Sequence, residues 1–136
     1  MYKNRKKKIK RKIKLKKIKL FINGQMSLGV INENQLPHKV VRIFFIKSGL
    51  YDVRGKHGHK KCWQSLVCLE GKIRVEIIDQ NGNHKNVDLA TEDDLLVIPP
   101  GNWAKQVGLK KKNILLVMAS KVYDESDYFY DYPKKI

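Results

Sequence analysis

The sequence predicts an all-β barrel or sandwich, and three observations carry that expectation. Short runs rich in β-branched and aromatic residues are separated by turn signals at regular intervals. Pro99-Pro100-Gly101 follows Leu95 to Ile98 and stops any helix or central strand there. No apolar stripe with a 3.6-residue period occurs before residue 120.

In order along the chain, the first feature is a basic segment. Residues 1–20 hold 12 of the 29 lysines and arginines and none of the 13 acids, so residues 21–136 carry 17 bases against 13 acids. The +16 net charge therefore belongs mainly to a tail, expected to be a disordered, solvated extension over residues 1–14 that makes at most sequence-blind contact with polyanions. No aromatic residues are interleaved to stack on bases, and no DNA-binding motif follows. Alternating Ile13 and Leu15, then Ile18 and Leu20, open the possibility of a first strand at its end.

Val40 to Ile46 reads as a strand closed by Lys47-Ser48-Gly49. Ser65 to Leu69 and Lys72 to Asp79 form two more, split by a hairpin turn at Glu70-Gly71. Asn81-Gly82-Asn83 is the next turn, Leu95 to Ile98 the next strand, and Ile114 to Met118 an apolar run suited to a strand buried on both faces. Tyr123 to Tyr132, acidic and aromatic, is expected to be a short helix or an ordered tail.

A chain of 136 residues with 42% apolar content fits one domain, assigned to residues 15–136. No apolar run is long enough for a membrane span or signal peptide, so a cytoplasmic protein is expected. Cys62 and Cys68, six residues apart, lie beyond disulfide reach on one strand and read as free thiols of a reducing compartment.

The chemistry begins at Arg54-Gly55-Lys56-His57-Gly58-His59. On an extended strand, imidazoles at i and i+2 project to one face and converge on one ligand. The stretch resembles the cupins, whose first motif is His-x-His, three or four residues, an acid, six residues and Gly. Here Gln64 stands where the acid belongs, and Gly71 closes the spacing. The second cupin motif, Pro-x-Gly followed by two residues and His, appears as Pro99-Pro100-Gly101-Asn102-Trp103-Ala104, with Ala104 at the histidine. Two of four expected ligands are missing, and two imidazoles with a neutral amide offset no cation charge, so no metal and no cofactor are expected. The resemblance implies a cupin (RmlC-like) double-stranded β-helix barrel with a basic N-terminal extension.

From Pro37 to Tyr132 the chain is similar to a narrower family, the metal-free cupin dTDP-4-oxo-6-deoxyglucose 3,4-ketoisomerases. Arg54-Gly55-x-His57-x-His59-Lys60, Gln64 to Leu69 with Gly71, Ile98-Pro99-Pro100-Gly101-x-Trp103, and Ala119-Ser120-x-x-Tyr123-Asp124-Glu125-Ser126-Asp127-Tyr128 carry the resemblance. It implies an isomerase that moves a sugar ketone from C4 to C3 through an enediolate, in deoxysugar and polysaccharide biosynthesis, acting on a dTDP-linked 4-oxo-6-deoxy sugar as a homodimer. His57 and His59 become the proton-transfer pair, with His57 favoured as the carbon base. Arg54, Gln64, Asn102 and Trp103 become substrate-binding candidates.

The chain also departs from the family pattern. Ile43-Phe44-Phe45 follows Arg42 where members commonly carry tyrosine, and Ala104 follows Trp103 where they commonly carry His or Arg. A related keto-sugar epimerase and a non-catalytic sugar-nucleotide-binding module are the alternative functions.

Overall fold

The computed structural model describes residues 12–90 and 92–135. Twelve strands follow in chain order: β1 Lys14–Lys17, β2 Lys19–Asn23, β3 Met26–Val30, β4 Arg42–Ser48, β5 Val53–His59, β6 Gln64–Glu70, β7 Ile73–Ile78, β8 His84–Leu89, β9 Asp94–Ile98, β10 Trp103–Gly108, β11 Asn113–Ala119 and β12 Tyr128–Phe129. The only helical pieces among the described residues are 3-10 turns at Glu33–Gln35 and Glu125–Asp127.

Two five-stranded antiparallel sheets share the core. One runs β1-β9-β6-β11-β4 and the other β12-β5-β10-β7-β8, while β2 and β3 form a separate hairpin. From β4 to β11 successive strands cross between the sheets, except for the β7–β8 hairpin within the second, in the pattern of a double-sheet jelly roll, the barrel architecture expected from the sequence. Leu66, Cys68, Leu96, Leu115 and Val117 from the first sheet meet Ile73, Val75, Ile77, Leu89 and Ala104 from the second in one core.

Sequence pattern follows from how many faces are covered. In β7, Ile73, Val75 and Ile77 point inward and Arg74 and Glu76 outward, giving the alternation of a sheet with one wet face. In β9, Leu96 and Ile98 enter the core, whereas Leu95 and Val97 join a second apolar cluster on the outer face with Ile18, Leu36, Val67 and Met118. The segment bearing Ile31, Leu36 and Val40 covers that face, so β6, β9 and β11 read as unbroken apolar runs.

The expected tail over residues 1–14 lies outside the described residues as far as residue 11. Ile13 packs against the core, and Lys14 opens β1, which pairs with β9. Exposed lysines along β1 suit a sheet edge, where charge discourages further pairing.

Candidate active site

The site is built where β5, β6 and β10 meet the segment that follows β11. Along β5, Gly55 (φ +95°) and Lys56 (φ +63°) break the strand's regular extension, and the pairing with β10 slips so that Ala104 opposes His57 while Lys105 opposes Gly55. Lys56 is the extra residue of a bulge. A Cβ on Gly55 would sit 3.0 Å from the Ala104 carbonyl oxygen, so glycine suits the position on both counts. Past the bulge Arg54 opposes Gln106. Directly opposed residues share a face, so Arg54 falls on the same side as His57 and His59, at the exposed rim.

His57 is half-buried and its Nδ1 donates to the Gly55 carbonyl at 3.0 Å. That partner can only accept, which leaves Nε2 with the lone pair. His59 is 7% exposed; its Nδ1 donates to Asp127 Oδ2 at 3.2 Å, and its Nε2 is buried without a hydrogen-bond partner. The two rings stand edge to face with centroids 5.2 Å apart. Burial is the main force lowering both pKa values below that of a free imidazole, aided by Arg54 for His57 and by the neighbouring His57 for His59. Both imidazoles are therefore neutral bases near pH 7.

Asp127 organises this arrangement and was assigned no role from sequence. Besides His59 it accepts the backbone N–H of Lys61 at 2.7 Å and of Cys62 at 3.2 Å, while its own carbonyl accepts the N–H of Lys60 at 2.7 Å. The motif Tyr123 to Tyr128 now reads as a device. Asp124 accepts from both the backbone and the hydroxyl of Ser126, shaping the 3-10 turn that delivers Asp127. Tyr128 then pairs with His59 in β12 and stacks on His57, with centroids 4.3 Å apart and planes at 15°. The acid-aromatic signature was visible in the sequence; the pairing of its final acid with a histidine 68 residues away was not.

Beside the two histidines lies a hollow of about 20 Å³ lined by His57, His59, Cys62, Gln64, Ile98, Pro99, Asn102, Ala104 and Gln106. It has room for about one water molecule. Gln64 and Asn102 are thus brought to the histidines, and the Asn102 amide donates to the Pro99 carbonyl at 2.9 Å. Trp103 is not among the lining residues. Its indole N–H donates to the Tyr130 carbonyl at 3.0 Å and its ring meets Tyr132 edge to face, so it anchors the C-terminal segment. Of the residues that depart from the family pattern, Phe44 packs toward the core, Phe45 is 64% exposed on the outer face, and Ala104 lines the hollow.

A second cation, Arg42, lies near enough to act electrostatically on His59 and Tyr128. Its guanidinium sits 4.9 Å from the Phe44 ring centroid and 5.9 Å from that of Tyr123, with Nε buried and unpartnered. Its charge opposes protonation of His59 and eases ionisation of Tyr128, whose pKa is nevertheless raised by burial.

Comparison with known proteins places the chain. The family model FdtA: WxcM-like, C-terminal matches residues 11–135. The chain belongs to that family. It is 34% identical over 116 residues to the TDP-4-oxo-6-deoxy-alpha-D-glucose-3,4-oxoisomerase of Aneurinibacillus thermoaerophilus, covering 84% of this chain and 83% of the relative. Among solved structures it is similar to QdtA, a sugar 3,4-ketoisomerase from Thermoanaerobacterium thermosaccharolyticum in complex with TDP. That match has a TM-score of 0.82 and 30% identity, and covers 88% of each chain. A His-to-Asn mutant of QdtA has been solved with TDP-4-keto-6-deoxyglucose. The dTDP-6-deoxy-D-glucose-3,5-epimerase RmlC of Legionella pneumophila, at 15% identity with 87% of this chain and 71% of that one covered, shares the fold with a TM-score of 0.77. The FdtA-family chain is thus a cupin of the RmlC-like class, and none of its described helices is long and apolar enough to cross a membrane.

Proposed function

We propose that this FdtA-family chain is a sugar-nucleotide 3,4-ketoisomerase that converts a dTDP-4-oxo-6-deoxyhexose to its 3-oxo isomer. The observation that carries the reading is a pair of neutral imidazoles, 5.2 Å apart, one of them anchored to a buried carboxylate, in a chain 34% identical to a 3,4-oxoisomerase. A ketone at C4 acidifies the C3 proton, so the protein must supply a base and a stabiliser for the enediolate. His57 Nε2 removes that proton. His59, held through Nδ1 by Asp127, carries protons between the two oxygens, and the carboxylate stabilises its imidazolium. Reprotonation at C4 leaves the ketone at C3. Arg42, which acts electrostatically on His59 and Tyr128, offsets the enediolate charge, and Arg54 at the rim is placed for a diphosphate oxygen. Gln64 and Asn102 hydrogen-bond the sugar, while Trp103 acts by seating the segment that bears Asp127.

A hollow of about 20 Å³ cannot hold a hexose, so substrate binding requires the walls of the site to open. The working unit is a homodimer on this reading. The β2–β3 hairpin exposes Phe21, Ile22, Met26 and Leu28, and β4 exposes Ile43 and Phe45, apolar side chains that a second copy of the chain would cover. The nucleotide-sugar substrate goes with a cytoplasmic location.

Incubation with dTDP-4-oxo-6-deoxyglucose in deuterium oxide tests the reaction. Deuterium at C4 of a 3-oxo product is expected. Exchange at C3 or C5 without ketone migration identifies an epimerase, and saturable binding without exchange a binding module.

A further inference from the structure

Cys62 is 3% exposed, borders the same hollow as His59, and has no part in the isomerisation chemistry. Its sulfur, a nitrogen of His59 and a carboxylate oxygen of Asp127 all lie within 4.8 Å of one another. Imidazole, thiolate and carboxylate are a donor set suited to zinc. Ideal tetrahedral bonds from these ligands separate the donor atoms by roughly 3.4 Å; the His59 and Asp127 atoms already stand 3.2 Å apart, so the Cys62 sulfur is the donor that must move in, by about 1 Å. These are not the positions a cupin uses for metal. Gln64 and Ala104 stand at two of those, and the group shares only His59 with them.

We infer that His59, Cys62 and Asp127 form a reversible inhibitory site for Zn²⁺ and similar thiophilic divalent cations. His59 Nδ1 already faces Asp127 Oδ2 at 3.2 Å, so the ion enters by replacing the proton between them. It takes a second proton from the Cys62 thiol, which in the free protein donates to the Trp63 carbonyl at 3.3 Å. The thiol proton leaves to solvent, whereas the imidazole gives up its Nδ1 proton and gains one on Nε2, so binding releases one proton in all. One thiolate and one carboxylate then balance the two charges of the ion, and a water completes the fourth position. Metal on Nδ1 obliges the imidazole to carry its remaining proton on Nε2. The buried, unpartnered Nε2 thereby turns from acceptor to donor, and His59 can no longer take up a proton. With only three protein ligands, one of which must move in to bind, the ion is a regulator and not a resident.

The inhibitory consequence rests on the isomerase reading; the binding does not. The test uses tag-free full-length protein cleared of metal by chelator and titrated with Co²⁺, which reports thiolate ligation by charge-transfer absorption in the near ultraviolet. One equivalent is expected to produce that band, and Zn²⁺ to displace it, following the order of divalent affinities. Cys62→Ser is expected to abolish the band, to weaken Zn²⁺ binding by at least about tenfold, and to keep turnover while making it resistant to zinc. Equal metal affinity in wild type and Cys62→Ser, as from exposed His84, overturns the site. A cobalt–thiolate band with no loss of turnover on zinc addition overturns the tautomer argument. Absence of turnover in metal-free protein that still gives the band counts against the isomerase reading alone.

Discussion

β5 and β11 are both seven-residue strands flanked by partners on either side, yet they are held in place by opposite means. β11 reads Asn-Ile-Leu-Leu-Val-Met-Ala, and Leu115, Val117 and Ala119 are each at most 2% exposed, so it is fixed by the apolar area it removes from water. β5 reads Val-Arg-Gly-Lys-His-Gly-His and brings almost no apolar area of its own. It is fixed by neighbours: Asp127 gathers residues 59–62, the Gly101 N–H donates to the His59 carbonyl, and Phe129 lies against Gly58 so closely that a Cβ there would be 2.3 Å from the ring. A strand can carry chemistry when others provide its stability.

If that contrast holds, substitutions should separate activity from stability. The largest effect is expected from His57→Asn, which should lower turnover by about two to four orders of magnitude while leaving the denaturant midpoint close to wild type. Steady-state kinetics beside urea unfolding would show it, and near-full turnover in both His57→Asn and His59→Asn would remove the acid-base assignment. Leu115→Ala should do the reverse. A fully buried leucine lost from β11 costs about 2–5 kcal/mol, read as a lower midpoint, with turnover per folded molecule unchanged.

Asp127→Asn stands between them. It removes a charge from His59 and weakens the anchoring of residues 60–62, so a drop in turnover of about tenfold or more is expected together with a modest stability loss of about 1–2 kcal/mol. The pH dependence sharpens the comparison further. Because burial holds the folded pKa of His57 and His59 below the ordinary value of about 6.5, the unfolded chain binds more protons below that pH. Their contribution is fully present above about pH 6.5 and is lost as pH falls toward the folded pKa values. Turnover should fall over the same range as the bases protonate, and a stability curve flat from pH 7 to 5 in wild type would argue against neutral, buried imidazoles.

The smallest effect is expected at the N-terminus. Removing residues 1–11 should leave unfolding and turnover unchanged while reducing salt-sensitive binding to polyanions. Extending the cut through Lys17 also removes β1 from the edge of β9 and should lower stability measurably.

Much of the architecture was legible in the sequence, because apolar runs and turn signals are local. Lys72 to Asp79 and Leu95 to Ile98 fall on β7 and β9, and Ile114 to Met118 lies within β11. The polar strands β8 and β10 and the β2–β3 hairpin carry weaker patterns and were passed over. At the site, His57 and His59 share a face as their spacing requires, whereas Arg54 reaches that face only through the bulge at Lys56, which composition does not announce. Arg42 and Asp127 were missed for another reason. Their importance arises from what they face across the fold, and one sequence says nothing of register between strands so far apart.

The hydrogen bond between His59 and Asp127 spans 68 residues of chain. Closing a loop of that length costs about 4 kcal/mol in chain entropy before any contact offsets it. Contacts of such separation form late in β-rich domains, where non-local pairing sets the rate. β4 pairs with β11, and β1 with β9, across comparable or longer stretches of chain, so the sheets carry the same entropic cost as the histidine anchor. During refolding, the circular dichroism of the sheets and catalytic competence should therefore return together, and the histidines are aimed by the same event that closes the jelly roll.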